Sequence, residues 1–187
     1  MELINTYYRN VCEVINDIPT DKVATLCSLI EHSELFEKKI FILGNGGSNS
    51  IATHFAADLT KINNDYGRKF KIFCLGQNTS LSTALSNDYG YENSFALELQ
   101  SLASPGDLLL IISSSGESLN VLNSLNYSKS ASIKTFAMIG FLNSTCEKHA
   151  QDFLNLNLPN GSYQFSEDVH SIILHSIINY LTDKFDS

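Results

Sequence analysis

Lys39-Ile40-Phe41-Ile42-Leu43-Gly44-Asn45-Gly46-Gly47-Ser48 is the stretch on which the fold turns. The apolar run after Lys39 does not alternate with polar residues, so it reads as a short strand of a parallel sheet covered on both faces. Small residues stop the strand, and a helical pattern follows from about residue 49 to 62. The unit recurs, with strands expected at 71–75, 108–112, 135–139 and 153–156. Helices are expected across 81–101, at 118–128, around Cys146 and from about 163 to 185. Ahead of the first strand, Leu3, Ile4, Tyr7, Tyr8, Val11, Val14, Ile15 and Ile18 fall at helical spacing, and Pro19-Thr20-Asp21 separates that helix from a second. The pattern predicts an α/β fold: one domain over residues 1–187, a parallel sheet flanked by helices on both faces, and a helical N-terminal extension over about 1–37.

Bulk properties narrow the function. The 187 residues carry 12 basic and 20 acidic side chains, a formal charge of −8, and no basic patch, which speaks against a nucleic-acid partner. The longest apolar run, 108–112 with its neighbours, is far short of the roughly 20 residues that span a bilayer, so no membrane partner is expected. Met1-Glu2-Leu3-Ile4-Asn5-Thr6 has neither a basic leader nor a cleavable apolar stretch, and a cytoplasmic location is expected. Cys12, Cys27, Cys74 and Cys146 form no Cys-x-x-Cys pair, and the first three have apolar neighbours. They read as reduced, buried thiols.

Two small-residue loops carry the chemistry. Gly44–Ser48 lies between a strand and a helix, where glycines let backbone N–H groups approach an anion. Ser113-Ser114-Ser115-Gly116-Glu117-Ser118 follows the strand at 108–112 and places four hydroxyls at the start of the next helix. Neither loop is a Walker A motif or a dinucleotide fingerprint, so no organic cofactor is expected. Either loop alone could be a serine-capped turn. Two at the carboxyl edge of one sheet predict a sugar-phosphate site built from Gly44–Ser48, with Gly46 and Gly47 supplying backbone amides, and from Ser113–Ser118.

His54 and Asp58 are four apart on the helix after the first loop, about 40° around its axis. Glu167 and His175 are eight apart on the last helix, about 80° around, so they also share a face. Two helices thus each offer an imidazole and a carboxylate, a set that can bind Zn²⁺ or supply the base and acid of an aldose–ketose isomerisation. Taken singly, His54 reads as an ordinary half-buried histidine, His175 as a core neighbour and Asp58 as a solvated charge. His170 reads as structural.

Together with His54–Leu59, Ser86–Glu92 and Glu167-Asp168-Val169-His170 followed by His175, the two loops resemble the sugar isomerase (SIS) domains, and within them the phosphoheptose isomerase branch. The resemblance covers nearly the whole chain. It implies a homotetramer with active sites at subunit interfaces, converting sedoheptulose 7-phosphate, a phosphorylated ketose, into D-glycero-D-manno-heptose 7-phosphate through a cis-enediol. It further implies that Ser48, Ser113, Ser114, Ser115 and Ser118 hold the phosphate and that Asn45 and Asp88 contact the sugar. Asp58 then takes the base position and His175 the acid position, and His54, Asp58, Glu167 and His175 form the metal set. The chain departs from the family in having Asp58 for glutamate, Glu167 for glutamine, Gln164 for aspartate, and no arginine near Lys61.

These departures keep a second reading open, that of a non-catalytic SIS module which binds a sugar phosphate as a sensor or scaffold. Tyr7 and Tyr8, with the stripe Ile173, Ile177 and Leu181, are apolar enough to serve an oligomer interface, core packing being the alternative.

Overall fold

The computed structural model describes residues 1–186. Five parallel strands, β1 (Lys39–Leu43), β2 (Lys71–Cys74), β3 (Leu108–Ser113), β4 (Lys134–Phe141) and β5 (Asp152–Leu158), lie in the order β2-β1-β3-β4-β5. The helices are α1 (Glu2–Asn16), α2 (Thr20–Leu35), α3 (Gly46–Tyr66), α4 (Thr79–Tyr89), α5 (Ser94–Leu102), α6 (Leu119–Ser130), α7 (Thr145–His149) and α8 (Tyr163–Asp186), with a 3₁₀ turn over Tyr91–Asn93.

Alternation along the strands divides the core into two layers. Ile40, Ile42, Leu108, Leu110, Phe136 and Met138 pack with α2, α3 and α8 on one face; Phe41, Leu43, Leu109, Ile111, Ala137 and Ile139 pack with α5 and α6 on the other. β3 is central and buried along its whole length, as its Leu/Ile composition requires. Among the described residues no helix is long and apolar enough to cross a membrane.

The strand order fixes where a ligand can enter. From β1 the chain winds outward to β2, and from β3 it winds the other way through β4 to β5, so the carboxyl ends of β1 and β3 diverge into a crevice. Gly44 sits at its floor. A Cβ there would come within 2.7 Å of the Ser48 carbonyl carbon and 2.9 Å of the Ile112 oxygen.

Several sequence expectations change. The helix after β1 begins at Gly46 rather than near residue 49, so Gly46, Gly47 and Ser48 are its first turn. The span 81–101 is two helices joined by the 3₁₀ turn. Ile173, Ile177 and Leu181 are core residues. Tyr7 stacks on Phe165 with ring centroids 4.5 Å apart and donates to the Asp168 carboxylate at 2.7 Å, which docks α1 on α8 within the chain. Tyr8 remains exposed. All four cysteines are free, but Cys12 is exposed and Cys74 half-buried; only Cys27 and Cys146 are buried.

Candidate active site

Two helices open at the crevice with their first turns uncapped. Asn45 and Ser118 are capping-type residues at the N-caps of α3 and α6, yet neither makes a side-chain cap bond. Elsewhere such residues cap in some helices and not in others: Asn78 accepts from the Leu81 amide and Ser144, beside Gly116, from the Cys146 amide, while Asn93 at the start of α5 makes no such bond. The first amides of α3 are therefore left for a ligand, and the helix dipole favours an anion there.

The Asn45 side chain is held elsewhere. Its Nδ2 donates to Asn120 Oδ1 at 2.9 Å, Asn120 Nδ2 donates back to Asn45 Oδ1 at 3.0 Å, and the Tyr91 hydroxyl donates to the same oxygen at 2.7 Å. This reciprocal amide pair ties the turn after β1 to the first turn of α6, across the mouth of the crevice. Asn120 is a candidate site residue that sequence reasoning missed, and Tyr91, inside the Ser86–Glu92 segment, was given no role there. The signal was present in Ser118-x-Asn120, an asparagine in the first turn of a helix, a position where a polar residue is unremarkable in sequence, although this one is buried.

The second loop is braced from below. The Ser113 hydroxyl accepts from the Gly116 amide at 3.0 Å and the Ser115 hydroxyl from the Glu117 amide at 3.3 Å, so both keep their own protons to donate. Ser114 Oγ is buried without a partner. Glu117 accepts from the Thr145 amide and, at 2.8 Å, from its hydroxyl, fastening the loop to α7. Gly116 has φ +64°, a left-handed turn, and a Cβ there would overlap Ser144 Oγ.

On the flank of α3, His54 Nε2 lies 3.1 Å from His175 Nε2 and 3.5 Å from Asp58 Oδ2. The ligand atoms of the three residues all lie within 4.8 Å of one another. Two imidazoles and a carboxylate at that separation suit a divalent metal such as zinc in donor type and number, with room for a further ligand. Both histidines are exposed, and Asp58 is half-buried.

Glu167 does not join this group. Its carboxylate lies against Gly47, in the first turn of α3. The reason is height: eight residues of helix separate Glu167 from His175 by about 12 Å, so a shared face does not bring them together. Asp88, at the end of α4, is exposed and accepts from Asn87 at 2.8 Å, pointing to no partner in either loop. His170 is fully buried; neither ring nitrogen has a hydrogen-bond partner, and burial pushes its imidazole down to about 4 against a smaller upward pull from the Ile139 backbone.

Residues 6–140 match the family described as SIS domain. A phosphoheptose isomerase from Aliarcobacter butzleri is 35% identical over 78% of this chain and 76% of its own length. One from Sulfurimonas denitrificans is 32% identical over 96% of this chain and 88% of its own. The solved structure of a phosphoheptose isomerase from Neisseria gonorrhoeae superposes with a TM-score of 0.87 at 24% identity, covering 97% of this chain and 98% of that one, a likeness of fold.

Proposed function

The chain belongs to the SIS domain family, and from that premise we propose that it is an aldose–ketose isomerase of sugar phosphates, acting on sedoheptulose 7-phosphate to give D-glycero-D-manno-heptose 7-phosphate. One observation carries the proposal. The uncapped first turn of α3 continues directly into the helix flank that bears His54 and Asp58. From Ser48 to His54 the helix rises about 9 Å. An extended seven-carbon chain spans about 7–8 Å from first to last carbon, so in length, though not in angle around the helix, the substrate matches the rise from the cradle to the histidines.

In this reading Ser48, Ser113, Ser114, Ser115 and Ser118, with the amides of Gly46 and Gly47, hold the phosphate, the Asn45–Asn120 pair borders the sugar, and Asp88, which meets neither loop, would reach the sugar only through a shift of the end of α4. Asp58 removes a proton from C1 of the ketose while His175 donates one to the C2 carbonyl oxygen, giving a cis-enediol. Return of a proton from Asp58 to C2, with loss of the C1 hydroxyl proton to His175, leaves an aldehyde at C1 and a secondary alcohol at C2. No outside oxidant or reductant enters. His54, Asp58 and His175 are also the residues that would hold Zn²⁺, which when bound would supply Lewis-acid polarisation of the substrate oxygens in place of proton donation from His175 Nε2.

We also propose a homotetramer with its sites at subunit interfaces. The exposed Leu3, Ile4 and Tyr8 of α1, the exposed histidine pair, and a groove of about 540 Å³ lined by Ile15, Ile18, Ile172 and Tyr180 support it. A sedimenting monomer would overturn that part. Conversion of sedoheptulose 7-phosphate to the aldose, followed by NMR with and without Zn²⁺, tests the activity. Phosphate binding without conversion under either condition would leave the sensor reading in its place.

A further inference from the structure

Gly46 and Gly47 are glycines for different reasons. Gly46 has φ +55°, the left-handed region, with nothing near its missing side chain. Gly47 leaves the space that a carboxylate fills: a Cβ there would lie 2.3 Å from Glu167 Oε2 and 2.4 Å from Oε1 and Cδ, so a larger residue would displace the end of the Glu167 side chain. All three carboxyl atoms of Glu167 therefore press on the first turn of α3, beside the amides that the diverted Asn45 leaves open. Among the described residues this half-buried carboxylate has no ion-pair or hydrogen-bond partner. Its charge is favoured by the helix dipole, and the same dipole is what an incoming phosphate would use.

We propose that Glu167 is a resident anion of the α3 cradle, a specificity-determining residue that competes with the substrate's phosphate and holds anion affinity below what the amides and serines would otherwise give. The role rests on the isomerase reading only for the identity of the substrate. A carboxylate a few ångströms from a phosphate repels it, and the repulsion is screened by salt. A neutral residue of the same shape removes the repulsion and keeps the packing against Gly47.

The test is inorganic phosphate binding to the full chain by titration calorimetry at low ionic strength, for wild type, Glu167→Gln and Glu167→Ala. Both variants are expected to bind phosphate roughly three- to tenfold more tightly than wild type, and the difference should shrink below about twofold in 0.5 M sodium chloride. Binding by both variants that is unchanged or weaker than wild type overturns the proposal. So does a gain that ignores salt, since it would report packing rather than charge. Because no turnover is needed, tighter binding by both variants of a protein that isomerises nothing would support this role and sink the isomerase reading. Turnover with no change in phosphate affinity would do the reverse.

Discussion

His54 Nε2 and His175 Nε2 lie 3.1 Å apart, although 121 residues separate them in the chain. Two imidazole nitrogens at that distance need a proton or a cation between them, because two facing lone pairs repel. Asp58 completes the group from the next turn of the same helix as His54. The side chains able to exchange a proton or hold a cation therefore meet at one point on the α3–α8 seam, about two turns along α3 from its first turn.

Asp58→Asn and His175→Gln are expected to lower kcat by a factor of about 10² to 10⁴ each, the range of general acid–base contributions. Inorganic phosphate affinity, read by calorimetry, should stay within about twofold of wild type, since neither residue touches the cradles. Unchanged rates in both variants would remove the catalytic assignment.

Metal binding is separable from turnover. Titration of the chelator-treated protein with Zn²⁺ should give one site per chain, and His54→Ala should weaken it by at least about tenfold, the loss expected when one of three protein ligands is removed. Glu167→Gln should leave Zn²⁺ affinity nearly unchanged, because that carboxylate lies at Gly47 and outside the three-residue group.

Asn120→Leu breaks the amide pair that crosses the crevice and leaves Asn45 Oδ1 with only the Tyr91 hydroxyl. A stability loss of about 1–3 kcal/mol is expected in urea unfolding, the usual cost of stranding a part-buried polar group. KM should rise more than kcat falls. The freed Asn45 side chain can then turn back to cap α3 and occupy the amides meant for the ligand.

His170 predicts an acid-sensitive fold. Its imidazole is held near 4 by burial, against about 6.5 in an unfolded chain. The unfolded state therefore binds the extra proton first as pH falls. The contribution to stability is intact above about pH 6.5, declines between 6.5 and 4, and changes no further below 4. The full loss is roughly 3 kcal/mol. Urea unfolding at several pH values should show this slope in wild type and lose about one proton's worth of it in His170→Met.

Much of the fold could be read from the chain because its decisive signals are local. The run from Ile40 to Leu43 and the Leu/Ile composition of β3 announce buried parallel strands without reference to anything distant. The site was legible in part. His54 and Asp58 are one turn apart, so spacing alone brings them together. Glu167 and His175 share a face but not a height, and helical angle says nothing about the second. The helix boundary at Gly46 was hidden because two glycines read as loop, whereas here one serves a left-handed turn and the other makes room for a carboxylate. Tyr7 and the Asn45–Asn120 pair were invisible for a simpler reason: their partners lie on other elements, and only packing brings them together.

Proton transfer between C1 and C2 of a ketose phosphate at this site is open to proton NMR of sedoheptulose 7-phosphate incubated with the protein in D₂O. The expected result is loss of a C1 proton signal from the ketose, appearance of an aldoheptose phosphate carrying deuterium at C2, and neither with Asp58→Asn. C1 signals that keep full intensity with the wild-type protein, with and without added Zn²⁺, would contradict it.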